Sequence, residues 1–446
     1  MKSYPKMKKS DLMEIGEIPE EWKIIRFDRC LDKLESGNRE SGGGSQLDNG
    51  VPSIGGEHIT VEHKIQFSSQ KYISEDFFKR MKFGKIKIND ILLVKDGATI
   101  GKTAIYEKNI FENAAVNEHV FLIRTNEMII PQFTFFYIMS KLGQDQIQQN
   151  IRGAAQGGLN SGFTKNCFLP LPSIIEQHKI VKFLNKKFID FEKKLDENKK
   201  LFKLLKEKKQ KLLNQSITKG LDPSVPMKDS GISWIGEIPE HWVLKELKKI
   251  IQHDTSITYG VVQTGEHIEN GIPCIRTSDM KGKLFPKTGY IKTSSEIDTK
   301  FKRSKVFKND IVVAIRATVG KAMIVPDYLD GANLTQGTAK ISPNESMDNE
   351  FVLNAINSES SQQHFEAIMK GATFKEITLA MLRNFIITCP PLNEQKEISN
   401  FIHNEIKKIE ILISNIISET KKIQEYRQVL ITSVITGKID LREVTI

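Results

Sequence analysis

The chain repeats itself once along its whole length, and this duplication constrains the fold more than any single motif. Ile15-Gly16-Glu17-Ile18-Pro19-Glu20-Glu21-Trp22 returns as Ile235-Gly236-Glu237-Ile238-Pro239-Glu240-His241-Trp242. Asn49-Gly50-Val51-Pro52 pairs with Asn270-Gly271-Ile272-Pro273, and Asn89-Asp90-Ile91 with Asn309-Asp310-Ile311. Ala98-Thr99-Ile100-Gly101-Lys102 pairs with Ala317-Thr318-Val319-Gly320-Lys321, and Glu176-Gln177 with Glu394-Gln395. Solenoid repeats run only about 20–50 residues, so the repeated object is a whole domain with its appendage. Two copies that keep their frame and differ in detail should do two related jobs.

The segment after each copy carries a heptad seam. In residues 173–218 the seam reads Leu184, Phe188, Phe191, Leu195, Asn198, Phe202, Leu205, Lys209, Leu212 and Ser216. In residues 391–436 it reads Ile402, Ile406, Ile409, Ile413, Ile416, Thr420, Ile423, Arg427, Leu430 and Val434. Alternating steps of four and three with mostly apolar occupants predict long helices that pack on a partner helix. Prolines stand before both helices and Gly220 and Gly437 mark their ends, as helix boundaries favour. Neither half holds a second helix long enough to cover its seam. The two helices are therefore expected to pack on each other, antiparallel, with the globular domains at opposite ends; dimerisation with another chain is the alternative. Asn198 is a candidate for fixing register, as single polar seam residues do.

The globular halves, residues 1–172 and 219–390, read as mixed α+β. Strands are expected at Lys85–Val94, Thr103–Tyr106, His119–Arg124, Val306–Ile315 and Lys321–Val325, and one amphipathic helix in each half, at Gln132–Asn150 and Asn349–Met369. The halves differ most around residues 30–70 and 250–290.

The net charge of +10 resolves by segment. Residues 1–172 carry 23 basic against 21 acidic side chains and residues 219–390 carry 21 against 20, so both globular halves are near neutral. Residues 173–218 hold 13 Lys against 6 acids. That excess suits nucleic acid, an acidic partner or simply a solvated helix face. No run reaches the ~18–20 apolar residues of a membrane span, and the charged N-terminus shows no signal-peptide pattern, so a cytoplasmic protein is expected. Cys30, Cys167, Cys274 and Cys389 are scattered and suggest neither disulfides nor a zinc site.

Catalytic patterns are missing from the sequence. Gly97-Ala98-Thr99-Ile100-Gly101-Lys102-Thr103 is one residue short of a phosphate-binding G-x-x-x-x-G-K-[ST] loop, whose length sets its backbone cradle. No glycine-rich cofactor loop, amino-methyltransferase motif, metal-spaced histidines or nucleophile motif appears. A recognition protein is expected, with no cofactor and no metal of its own.

The order of these motifs, twice over, resembles the specificity subunit of type I restriction-modification enzymes. The Ile-Gly-Glu-Ile-Pro-x-x-Trp openings, the Asn-Asp-Ile strands leading to Gly-Lys and the helix entrances around Glu176-Gln177 and Glu394-Gln395 carry the resemblance, with the Ile-Thr helix ends at Ile217-Thr218 and Ile435-Thr436. It implies two target recognition domains reading a bipartite, asymmetric DNA site, and an antiparallel coiled coil that fixes the gap between its parts. It also implies docking to two methyltransferase subunits and two restriction-translocase subunits, which alone carry S-adenosylmethionine, ATP and Mg. A recognition subunit of a combined restriction-methylation enzyme, a degenerate enzyme and a coiled-coil adaptor without DNA remain alternatives.

Base readout in the major groove uses Arg and Lys on guanine, and Asn and Gln on adenine. Candidates are therefore sought in loops that differ between the halves: Arg39, Gln46, Lys95, Arg152 and Gln156 in the first, and Tyr259, Gln263, Arg276, Arg316, Lys370 and Lys375 in the second. Lys102 and Lys321 recur in both and suit phosphate positioning. Glu176, Gln177, Glu394 and Gln395 are expected to cap their helices, with contact to the methyltransferase subunit as the competing role.

Overall fold

The computed structural model describes residues 2–40, 47–67, 69, 71–107, 111–153, 157–369 and 376–444. It divides into two units, Met1–Asn198 with Ile417–Ile446, and Lys199–Ile416. Each unit thus joins one globular half to parts of both long helices, Ile174–Lys219 and Leu392–Ile435.

The first unit is built on an antiparallel sheet in the order Leu31–Ser36, Val120–Thr125, Ile91–Val94, Thr103–Ile105. Ile91–Val94 is buried along its full length, so its apolar run reads as a central strand covered on both faces. A smaller sheet sets Val51–Ile54 between Tyr72–Ile73, antiparallel, and Ala115–Val116, parallel. Lys23–Arg26 pairs with Phe168–Leu171, which delivers the chain to the first long helix.

The second unit repeats the plan. Ile311–Ala314 lies between Ala322–Ile324 and Thr338–Ile341, Ile272–Ile275 lies between Ile291–Thr293 and Asn333–Leu334, and Val243–Glu246 pairs with Ile386–Cys389. The outer strand of the first unit's main sheet is reduced here to single bridges, Ile251 with Pro343 and Tyr259 with Ala339.

Two expectations from the sequence are corrected. The strands predicted from Lys85 and Val306 begin only at Ile91 and Ile311. Asn89 and Asn309 adopt φ 70° and 69°, a left-handed conformation that Asn tolerates. Asp90 and Asp310 then accept from the amides of Lys87 and Phe307 at 2.7 and 2.9 Å, so Asn-Asp builds a turn before the strand. The single helices predicted in each half are pairs, Pro131–Met139 with Lys141–Gln149, and Asn349–Asn357 with Glu359–Ile368. Ser140 and Ser358 break them in extended backbone (ψ 156° and 153°), their hydroxyls capping the following helix. Apolar periodicity passes through such a break undisturbed.

Within each unit the two long helices pack antiparallel along the predicted seams, and none of the seam residues is exposed. In the first unit Arg427 stacks 3.9 Å over the Phe188 ring, Phe191 meets Tyr426 edge-to-face at 5.7 Å, and Asn198 Nδ2 donates to Thr420 Oγ1 at 3.3 Å. Leu430, Ile431, Val434 and Ile435 share one core with Trp22, Phe133, Phe136 and Leu184. In the second unit Leu205 packs with Ile409 and Ile416, Lys209 pairs with Glu410 at 2.7 Å, and Leu213 and Ile217 join the core of Trp242, Phe351 and Ile402. Each such aliphatic side chain contributes roughly 1.5–3 kcal/mol on burial. The two basic seam residues are thereby satisfied, Lys209 by a carboxylate and Arg427 by an aromatic face. No helix among the described residues is long and apolar enough to cross a membrane, and all four cysteines are buried free thiols.

Candidate nucleic-acid interface

One corner of the main sheet gathers most of the first unit's divergent loops. Gly37, at the end of the edge strand, passes so close to the backbone of Val116 that a Cβ would lie 1.5 Å from its carbonyl oxygen. Only glycine permits that approach. From there the chain runs to Arg39, whose guanidinium lies 3.9 Å from Glu118. His119 Nδ1 bonds Asp96 Oδ1 at 2.6 Å. The Lys95 amide donates to the His119 carbonyl at 3.0 Å, and the Lys95 carbonyl accepts from Leu159 at 2.7 Å.

The short antiparallel pair of Ile151–Arg152 and Gly158–Leu159 closes the corner, with Gly158 bridged to Asp96. Lys95 and Arg152 thus share a cleft of about 600 Å³ with Ser36, Phe121 and Asn160, Lys95 Nζ lying 5.2 Å over the Phe121 ring. Lys102 follows on the same strand turn, where its carbonyl accepts from Val94 at 2.8 Å.

The second unit builds the same corner from different residues. Gly260 repeats the close approach, with a Cβ 1.8 Å from the Leu334 carbonyl oxygen. Tyr259 and Gln263 flank it and are exposed. Arg316 is bridged to Glu376, its Nε donating to Oε2 at 2.8 Å. Gln336, also exposed, donates its amide to the Val261 carbonyl at 3.1 Å.

Arg276 and Lys321 stand apart from this corner in their partners. Arg276 is forked onto Asp279 (2.9 and 3.1 Å) and also donates to the Gly289 carbonyl at 3.2 Å; the carboxylate holds its guanidinium above its ordinary pKa. It lines a cleft of about 620 Å³ with His267, Lys287, Lys292 and Tyr328. Lys321 Nζ donates to the Lys281 carbonyl at 2.9 Å and so ties two loops together. Gln46, Gln156, Lys370 and Lys375 lie outside the described residues.

The structure therefore brings Arg39, Lys95 and Arg152 to one corner and Tyr259, Gln263 and Arg316 to its counterpart. The residues that knit each corner, Asp96, Glu118 and His119 in one and Gln336 and Glu376 in the other, were missed from sequence. Acids are weak signals in a search for cations. A clue lay in register: Asp96 and Arg316 stand two residues past the repeated strands yet differ in charge.

The helix entrances do more than place an acid in each first turn, where Glu176 and Glu394 lie. Glu176 accepts from Trp22 Nε1 at 3.0 Å and from the Tyr4 hydroxyl, and Ser173 Oγ takes the Glu176 amide at 3.3 Å. Glu394 accepts from Trp242 Nε1 at 3.0 Å and pairs with His241 at 2.9 Å. Gln177 spans the Ile130 amide and the Met128 and Pro172 carbonyls, and Gln395 likewise spans the Asp348 amide and the Ser346 and Pro390 carbonyls. The Gly-Glu-Ile-Pro-x-x-Trp opening and the Glu-Gln entrance are thus two sides of one joint, which locks each globular half onto its helix. Among the described residues no group of three or more His, Cys, Asp or Glu side chains is placed to hold a metal ion.

Comparison with known proteins agrees with this architecture. The chain is 28% identical over 440 residues to the putative type I restriction enzyme MjaX specificity subunit of Methanocaldococcus jannaschii, covering 96% of each chain. Among solved structures, a chain from a type I restriction-modification system described for its complex assembly and conformational transition superposes with TM-score 0.75 at 18% identity, covering 95% of this chain and 99% of that one. The HsdS subunit from Thermoanaerobacter tengcongensis gives 0.56 at 16% identity, covering 95% and 98%. These structural likenesses bear on the fold. The family model described as the type I restriction modification DNA specificity domain matches residues 6–201 and 239–422, and the chain belongs to that family.

Proposed function

We propose that this chain is the non-catalytic DNA-reading subunit of a type I restriction-modification complex, each unit reading one part of a split, asymmetric sequence. The observation that carries this reading is the pair of corners: corresponding central strands and the same glycine approach present Arg39, Lys95, Asp96, His119 and Arg152 in one unit, and Tyr259, Gln263, Arg316 and Gln336 in the other. A scaffold shared by the two units with exchanged hydrogen-bonding groups suits two readers of different base sequence. Lys102 is assigned to phosphate positioning. The long helices act as a coiled-coil spacer. Two methyltransferase subunits and two restriction-translocase subunits dock on the chain in the cytoplasm and supply S-adenosylmethionine, ATP and Mg.

The near-neutral globular halves leave part of the phosphate contact to those partners, so the isolated chain binds DNA modestly. Purified chain, alone and with its methyltransferase subunit, should bind duplex DNA with an affinity that falls as salt rises, more steeply for the complex because more phosphates are neutralised. Binding that is absent, or insensitive to salt, in both preparations favours a structural adaptor instead.

A further inference from the structure

Asp96 and Arg316 occupy the same place in the two units. Val94 faces Val120 and Ala314 faces Thr338 in the paired registers. Two residues beyond those strand ends, Asp96 bridges to Gly158 and Arg316 to Glu376. Around them Glu118 matches Gln336 and His119 matches Gly337, counting back from Val120 and Thr338. One corner therefore carries a carboxylate where the other carries a guanidinium.

Both groups are aimed by an internal partner that leaves other atoms unused in that contact. Glu376 takes the Nε hydrogen of Arg316, and the paired terminal nitrogens are the edge that forks onto guanine O6 and N7. His119 takes Oδ1 of Asp96. A carboxylate only accepts hydrogen bonds. The major groove offers two amino donors, cytosine N4 and adenine N6, and adenine's lies beside its N7 acceptor, which repels a carboxylate, so cytosine suits it better. All four side chains are partly exposed, and exposed ion pairs of this kind contribute little to stability. Orientation is the better account of them.

We propose that this shared position sets one base in each half of the recognised sequence, with Arg316 selecting guanine in one half and Asp96, oriented by His119, selecting cytosine in the other. The proposal rests on the DNA-reading role argued above. Its test uses the full chain assembled with its methyltransferase subunit, as wild type, Arg316→Gln and Asp96→Asn, with modified bases mapped by long-read sequencing. Each substitution should alter the preference at a single position of one half-site, by roughly tenfold to a hundredfold, and leave the other half unchanged. Arg316→Gln should move that position from guanine toward adenine.

Unaltered base preference at every position in both variants overturns the proposal. Where a variant assembles without methylating, duplexes bound from a randomised pool are sequenced and judged by the same two outcomes. Where Arg316→Gln fails to assemble, Arg316→Lys keeps the charge, loses the fork, and should relax the guanine. A wild-type complex that shows no split motif refutes the DNA-reading role itself, whereas a wild-type motif left intact by the variants refutes only this assignment.

Discussion

At the residue scale, the repeated Asn-Asp turn has different partners in the two units. Asp90 is buried and forked by Arg124 at 2.6 and 2.7 Å. In the second unit Asp310 is instead near Lys340, and burial raises its pKa. Removing one member of a buried pair strands the other charge. Arg124→Met should therefore destabilise the first unit by about 3–5 kcal/mol, read as a lower denaturant midpoint with the slope unchanged. His63 supplies a pH signature in the same unit. Its ring bonds the Thr103 carbonyl at 3.1 Å, and burial, reinforced by Arg427, pushes its pKa down to about 4 from 6.5. Between those values the unfolded chain takes up a proton that the folded chain refuses. Its contribution is complete above pH 6.5 and is lost as the pH falls toward 4. His63→Gln should flatten the fall in melting temperature across that window. The sequence could not show either effect, since both depend on loops that meet only in the folded unit.

At the element scale, the long helices were the most legible feature and the paired short helices among the least. Heptad spacing identifies the seam because every apolar position must face a partner. It even picked out Asn198, Lys209 and Arg427 as the polar breaks, and each now has a partner in Thr420, Glu410 and Phe188. The breaks at Ser140 and Ser358 escaped because a serine cap interrupts the backbone without disturbing the apolar pattern. Asn198→Leu should raise thermal stability, since it replaces a buried polar contact with an apolar one. It should also loosen register, because the Asn198–Thr420 bond can form in one alignment only. Disulfide trapping between cysteines placed at matched and at shifted seam positions measures this: wild type cross-links at the matched pair, the variant at both.

At the scale of the whole molecule, the units do not coincide with the sequence repeats. The first copy's core includes Leu430, Ile431, Val434 and Ile435 from the chain's far end, and the second copy's core includes Leu213 and Ile217 from the first helix. The expected antiparallel packing implies this exchange of helix ends, but not which of their residues enter each core. This bears on exchange experiments. Residues 1–172 transplanted from a relative should fold poorly, because their core meets foreign partners at 430–435. A transplant of residues 1–198 together with 417–446 should keep a native melting transition, and circular dichroism melts of both chimaeras compare them directly.

The central claim is that one chain reads two different parts of a split DNA sequence. Long-read methylation mapping of genomic DNA from cells expressing the chain with its methyltransferase subunit tests it most directly. The account predicts a modified motif that is asymmetric, interrupted by an unread gap of fixed length, and altered in one half only when the first unit is exchanged. Assembled subunits that yield no split motif, or an exchange that changes both halves together, would contradict it.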